Sequence, residues 1–511
     1  MACATTWAVA DGQVGGLTSL RATKSKRKLQ NKKQANGPTY SGTSCLDDQF
    51  TSILEANNIP GGSLAIMLRN EDDGGSGAVV YQQGYGTRDA PGIDHSTENR
   101  PFLSSTPSRI FSVSKTVTAM TVAQLAKQGL LNLDAFVFAE GGALRFYIEN
   151  YSGFPDPRLS SITVRQLLSH TAGFTPRLDA TDPMSFPVLA YNTIASELGL
   201  DSGTVVTCPD IIQYMVGVPL YADPGTTPAY SNVGYCTLES LVETVTGMSF
   251  QQAATKWVWE PLNIDTDQFY IPASSRLEDA KPEEAEYYDE GCFGPSLYNG
   301  PDVPCPYGAI FQTESSAGYA GWVASVQEVI KLGRAFDCNG DDDCIINETW
   351  KTEIETIPSA WPADTPYWTS HGFFVTYASS DDKITETIGE GSDTTEASDK
   401  QVVEQQEKEK PPLIVFHEGS ASGAFAWLIH HPKYNIAAVF NGNNNTGMAD
   451  EVTGKLKLVE MMECMDDGGW PTVEDDDGKS SSSSAAADPI SKLAHQLLLF
   501  AGSIVVPFLF L

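Results

Sequence analysis

The chain has 511 residues, 41% of them apolar, and 65 acidic against 32 basic side chains, a formal net charge of −33. That length and apolar fraction can build one large domain or two intermixed lobes. The charge argues against nucleic acid as a partner, because a polyanion is repelled and no long basic face occurs beyond the N-terminal tail. Acidic runs such as 278–290 and 474–477 read as solvated surface.

In chain order, residues 1–45 carry Lys24, Lys26, Arg27, Lys28, Lys32 and Lys33 with almost no acid, a basic tail or targeting segment of organellar transit composition. The stretch LDDQFTSILEANN predicts a helix, and after a Pro-Gly turn SLAIMLRN and AVVYQQGYGTRD predict a strand hairpin. Apolar spacing predicts a helix over 110–127, ended by Gly129, and another over 163–169, entered at the capping residue Thr163. Helices follow in CTLESLVETVTG, stopped by Gly247, and in SVQEVIKLGRAF. Strands return in HGFFVTYA, LIVFHEGSA, GAFAWLIHH and NIAAVFNGN, with a closing helix over 450–464. The pattern predicts an α+β fold (an α/β sandwich): an antiparallel sheet from both chain ends, flanked by helices, with an inserted all-helical lobe. Residues 46–465 form this domain, and 379–412, polar and almost without aromatics, read as a disordered insertion.

Residues 466–511 begin as an acidic, Ser-rich linker and end in the apolar LLLFAGSIVVPFLFL. Small residues, a polar spacer and an apolar tail match a GPI-attachment signal with its acceptor within 482–485. The tail is short for a span of about 20 residues. This predicts membrane attachment through the C-terminus at the extracellular face or in the endomembrane lumen; the basic N-terminus suggests the alternative, a mitochondrion or plastid. Sequons at Asn150, Asn347 and Asn444 point to the secretory route. Nine cysteines include no Cys-x-x-Cys pair, so no metal site is expected. Setting Cys3 aside, the expected pairs are Cys45–Cys464, Cys208–Cys236, Cys292–Cys305 and the clasp Cys338–Cys344.

Three motifs carry chemistry. In FSVSKTVTAM, Ser112 and Lys115 lie three positions apart at a helix start, so amine and hydroxyl are neighbours. A serine hydroxyl is a poor nucleophile until a neighbour takes its proton, which a desolvated lysine can do. The pattern alone is weak, since Ser25 and Lys28 repeat it inside the basic tail. Downstream, Tyr230-Ser231-Asn232 places a phenol and a carboxamide two residues apart, and His417-Glu418-Gly419 runs into SASGAFAW, whose small residues let a substrate lie along the strand edge. Read singly, Tyr230 is a buried tyrosine and Asn232 a helix cap.

Together and in this order, SVSK, YSN and HEG resemble the serine β-lactamase and penicillin-binding-protein family, nearest its branch of class C β-lactamases, D-aminopeptidases and esterases. The similarity spans about 46–465 and includes IPGGSLAIMLRN, GYGTRDA, LLSHTAGF, PGTTPAYSNVGY and AGWVASVQEVIKLGRAF. The resemblance implies an acyl-serine hydrolase without cofactor, acting on a small-molecule or peptide substrate. Ser112 is then the nucleophile, Lys115 its proton acceptor and Tyr230 the relay to the leaving group. Asn232 binds a substrate amide or steadies Lys115. The oxyanion hole comes from backbone N–H groups of Ser112 and of Ala421 or Ser420, with His417 and Gly419 on the substrate-binding strand. Where many relatives have Lys-Thr-Gly this chain has His417-Glu418-Gly419, which removes a fixed cation. The expected substrates are therefore esters, amides or D-amino-acid peptides, with weak or no β-lactam hydrolysis. His170 is read as structural, and His371, His430 and His431 show no ligand pattern. The alternative reading is a catalytically idle β-lactamase-like scaffold or binding protein at a membrane surface.

Overall fold

Apolar runs from both parts of the chain meet in one sheet. The computed structural model describes residues 35–36, 40–41, 44–69, 77–91, 93, 99–174, 187–337, 344–377, 413–431, 434–442 and 472–473. Its main strands are β1 (Ala35–Asn36), β2 (Gly61–Leu68), β3 (Val79–Gly86), β4 (Tyr367–Ser370), β5 (Phe373–Tyr377), β6 (Leu413–Ala421), β7 (Ala424–His430) and β8 (Tyr434–Phe440). They form an eight-stranded antiparallel sheet in the order β1-β3-β2-β8-β7-β6-β5-β4. The early hairpin joins the late strands where β2 pairs with β8, with Ile66 opposite Ile436.

Both faces of the sheet are covered, which explains why its strands read as near-continuous apolar runs. Alternation divides them between two cores. Leu64, Ile66, Phe425, Trp427, Ile436 and Phe440 pack with Leu46, Phe50, Ile53 and Leu54 of helix α1 (Ser44–Ala56). Ala65, Met67, Ala426, Leu428, Ala437 and Val439 share the opposite core with Val113, Val117 and Met120. The α1 face also has a polar tie, since Tyr81 and Tyr85 each donate to Asp47 Oδ1 at 2.8 Å.

Between β3 and β4 the chain forms the helical part, including α2 (Ser114–Lys127), α3 (Val164–Leu168), α4 (Cys208–Met215) and α5 (Asn232–Thr246). Thr163 caps α3 reciprocally with Gln166, and Gly247 ends α5 at φ +67°. Disulfides join Cys208 on α4 to Cys236 on α5, and Cys292 to Cys305 across the short pair Phe293–Gly294 and Val303–Pro304. Cys45 and Cys344 are also disulfide-bonded. The expected partners Cys464 and Cys338, the insertion 379–412, the closing helix 450–464 and the C-terminal signal lie outside the described residues. Among the described residues, no helix is long and apolar enough to cross a membrane.

Two elements differ from the expectation. SVQEVIKLGRAF is one short α-turn, Val326–Val329, followed by a 3₁₀ segment, Ile330–Phe336. Gly333 meets the side chain of Asn435 on β8 there, and a Cβ would lie 2.6 Å from Asn435 Cγ. Residues 35–36 and 40–41, within the stretch read as a tail, form strands, the second pairing with Thr472–Val473.

Phe440 binds the two halves together, with ring centroids 5.1 Å from Phe50 and 5.4 Å from Trp427. Phe440→Ala is expected to cost about 3–5 kcal/mol in urea unfolding. A cost below about 1 kcal/mol, the range of an ordinary surface change, would show that the α1 face contributes little.

Candidate active site

The Ser112 turn is bent before the helix begins. Phe111 has φ +40°, in the left-handed region that non-glycine residues rarely occupy. Phe111–Val113 form a 3₁₀ turn that continues into α2, with the Phe111 ring edge-on to Phe311 at 5.7 Å. Lys115 on the first turn of α2 has no solvent exposure. Its Nζ donates to Ser112 Oγ at 3.0 Å and to the carbonyl oxygen of Tyr319 at 3.0 Å. The rings of Tyr230, Tyr235 and Tyr319 surround it at 4.7, 5.7 and 5.9 Å.

Tyr230 is held from below by His170, stacked at 4.4 Å. His170 leaves α3 at φ +56°, and its Nδ1 accepts from Ser231 N at 3.0 Å while its carbonyl accepts from Ala229 N at 2.7 Å. Burial, and then the nearby Lys115 charge, hold its pKa well below the ordinary 6.5, so the ring is neutral. This is a structural role, as read from the sequence, made through bonds to the backbone. The α5 cap is Ser231, whose Oγ accepts from Gly234 N at 3.0 Å; Asn232 is the first helical residue instead. Asn232 Oδ1 is buried and has no hydrogen-bond partner among the described residues, and the residue lines the cleft beside Ser112. It does not steady Lys115 through this oxygen.

Strand β6 forms the other wall. Its neighbour β5 pairs with it only as far as Phe416, so Gly419, Ser420 and Ala421 run past Ser112 where a strand would otherwise pair. Gly419 is required by that approach: a Cβ would fall 1.9 Å from Ile110 O and 2.9 Å from Ser112 N. Gly419 therefore packs against the Ser112 turn, and Ser420 and Ala421 line the cleft. The β6–β7 turn is fixed by Ser422 Oγ, which donates to Asp289 Oδ2 at 2.6 Å.

His417 is not among the cleft-lining residues. It is buried beside Phe374 at 5.1 Å and Tyr230 at 6.3 Å, with Nδ1 bonded to Glu418 O at 2.6 Å. Burial, and then Lys115, push its pKa down to about 3, so it supplies no cation at neutral pH. Thus Ser112, Asn232, Ser420 and Ala421 share one cleft, Lys115 sits behind Ser112, and Tyr230 flanks Lys115. The sequence reading missed Phe111, Ile310, Phe311, Tyr319 and Ala320, which complete the cleft. Among the described residues, none lining it is charged. Among the described residues, no cluster of His, Cys, Asp and Glu is arranged to hold a metal.

On this α+β scaffold a serine held by a buried lysine at the start of a helix lies beside the part of β6 that β5 does not pair. The chain matches the Beta-lactamase family over residues 46–459 and belongs to it. Protein flp of Staphylococcus aureus (strain MW2) is 26% identical over 224 residues, 44% of this chain but only 38% of that relative's length. The D-amino acid amidase of Ochrobactrum anthropi SV3, complexed with L-phenylalanine amide, superposes with TM-score 0.54 at 16% identity, covering 83% of this chain and 97% of the amidase. EstCE1, described as a hydrolase with promiscuous acyltransferase activity, gives TM-score 0.51 at 16% identity over 83% of this chain and 98% of its own. These structural likenesses concern the fold.

The His417 shift makes a pH prediction. Below pH 6.5 the unfolded chain takes up a proton that the folded state refuses until about pH 3, so stability falls as pH drops through that window. Urea unfolding of His417→Gln and wild type should shift by about 2 kcal/mol in the variant's favour between pH 8 and pH 5. Parallel pH curves would mean that His417 protonates freely in the fold.

Proposed function

We propose that the protein is a serine hydrolase that forms an acyl-enzyme through Ser112. It acts on uncharged ester, amide or D-amino-acid peptide substrates and hydrolyses β-lactams weakly or not at all. The observation that carries this reading is the 3.0 Å contact from Lys115 Nζ to Ser112 Oγ beside a cleft that no charged side chain lines among the described residues. The names of the amidase and of EstCE1 support the reaction class.

In this mechanism Lys115 takes the Ser112 proton as Oγ attacks the acyl carbonyl carbon. The oxyanion is met by backbone N–H groups of Ser112 and of Ala421 or Ser420 on β6. Tyr230, oriented by His170, passes a proton to the leaving group, which departs as the carbonyl re-forms. Water, deprotonated by the same groups, attacks the acyl carbon and restores Ser112. Asn232 Oδ1, buried and unpartnered, suits an N–H of an amide substrate. A carboxylate next to the scissile bond would find no lining cation, which disfavours β-lactams.

The disulfides Cys208–Cys236 and Cys292–Cys305, with Cys45 and Cys344 also bonded, support residence in an oxidising compartment. Attachment to its membrane through the C-terminal signal is part of the same proposal.

Ser112→Ala and Lys115→Ala should each abolish hydrolysis of p-nitrophenyl butyrate with the fold intact by circular dichroism; near-wild-type turnover in either would defeat the mechanism. Tyr230→Phe should lower kcat by about 10²- to 10⁴-fold, and a change under about threefold would remove it from the chemistry. Phe311→Ala should raise the octanoate-to-acetate ratio of kcat/KM by about tenfold. An unchanged ratio would place the acyl chain elsewhere.

A further inference from the structure

We infer that Glu239 is a positioning residue for the Lys115–Ser112 pair, acting through the peptide units of Gly318 and Tyr319. The inference rests on the reading of Ser112 as nucleophile.

Glu239 lies on α5, two turns beyond Asn232, and is 9% exposed. Its Oε2 accepts from Gly318 N at 2.6 Å. The carbonyl of the same residue, Gly318, accepts from Thr118 Oγ1 on α2 at 2.6 Å. The next carbonyl, that of Tyr319, accepts from Lys115 Nζ at 3.0 Å. The loop is thereby held at three main-chain polar groups of two adjacent residues, once from α5 and twice from α2.

The approach is close. A Cβ on Gly318 would lie 2.7 Å from Glu239 Cβ and 2.7 Å from Tyr235 O, so only glycine fits. The same oxygen also meets the Cys208–Cys236 disulfide, with Cys208 Sγ 3.3 Å from Oε2. A disulfide sulfur has no proton to donate, so this contact is packing: it fixes α4 against the carboxylate.

Burial raises the Glu239 carboxyl to about 8, against the lowering effect of the Gly318 N–H, with Glu243 on the same helix adding to the rise. The bond to Gly318 survives either protonation state, because a carbonyl oxygen accepts as a carboxylate does. What the site needs from Glu239 is an acceptor at that point. Without one, Gly318 N is a buried unpaired donor, and the carbonyl orienting Lys115 loses a support. Displacing a catalytic group by about 1 Å can cost about 10²-fold in rate.

The test is p-nitrophenyl butyrate hydrolysis by wild type, Glu239→Ala, Glu239→Gln and Thr118→Val. Glu239→Ala should lower kcat by about 10- to 100-fold with KM changed less than about twofold. Glu239→Gln, which keeps a carbonyl oxygen, should restore kcat to within about threefold of wild type. Thr118→Val, which removes the other hold on Gly318, should lower kcat by about tenfold and carries the test if Glu239→Ala does not fold. Unchanged kcat in a folded Glu239→Ala or in Thr118→Val, or a loss that Glu239→Gln does not restore, overturns the inference. Hydrolysis that survives in Ser112→Ala is a different result: it defeats the nucleophile assignment, and this inference with it.

Discussion

Everything at this site depends on burying the Lys115 amine. A fully buried lysine nitrogen must have hydrogen-bond acceptors within reach, and here Ser112 Oγ and Tyr319 O provide them. To place those acceptors the fold presses its main chain close around α2 from two directions. Gly419 on β6 meets the Ser112 turn, and Gly372, in the β4–β5 turn at φ +84°, lies where a Cβ would be 2.9 Å from Lys115 O and 2.5 Å from Ala119 Cβ. The left-handed Phe111 completes the wedge, because the chain has to turn sharply between Ile110 and α2. Strain of this kind persists only where surrounding packing determines it.

The charge distribution separates surface from site. A chain of net charge −33 repels anions at long range, and among the described residues the cleft offers no fixed cation to recover them, since His417 is neutral and Lys115 lies behind the serine. Selection is then left to shape and apolar contact with Phe111, Ile310 and Phe311, plus the directional polar groups of Asn232 and Ser420. Such a site distinguishes substrates modestly by size and more sharply by hydrogen bonding.

Legibility in the sequence followed the kind of signal each residue carries. Strands β6 to β8 were readable because apolar runs are bounded by turn residues, and the contact of Ser112 with Lys115 because two polar side chains at helical spacing are visible in letters. Tyr319 contributes a main-chain carbonyl, which no residue type announces. The apolar walls look like any core. Ser231 and Asn232 are both good caps, and backbone dihedral angles, not composition, decide between them. Gly419 read as part of a binding strand, whereas tertiary approach is what demands it. Glu239 looked like an ordinary helical acid, and only the fold puts Gly318 against it.

The central claim is that Ser112 carries the acyl group during turnover. Rapid mixing of the wild-type protein with a slowly deacylating ester, acid quenching, and intact and peptide mass spectrometry test it most directly. The account predicts a burst of one leaving group per chain and one acyl adduct on the peptide containing Ser112. Product formation without a burst or adduct, or an adduct mapped to another residue, would contradict it.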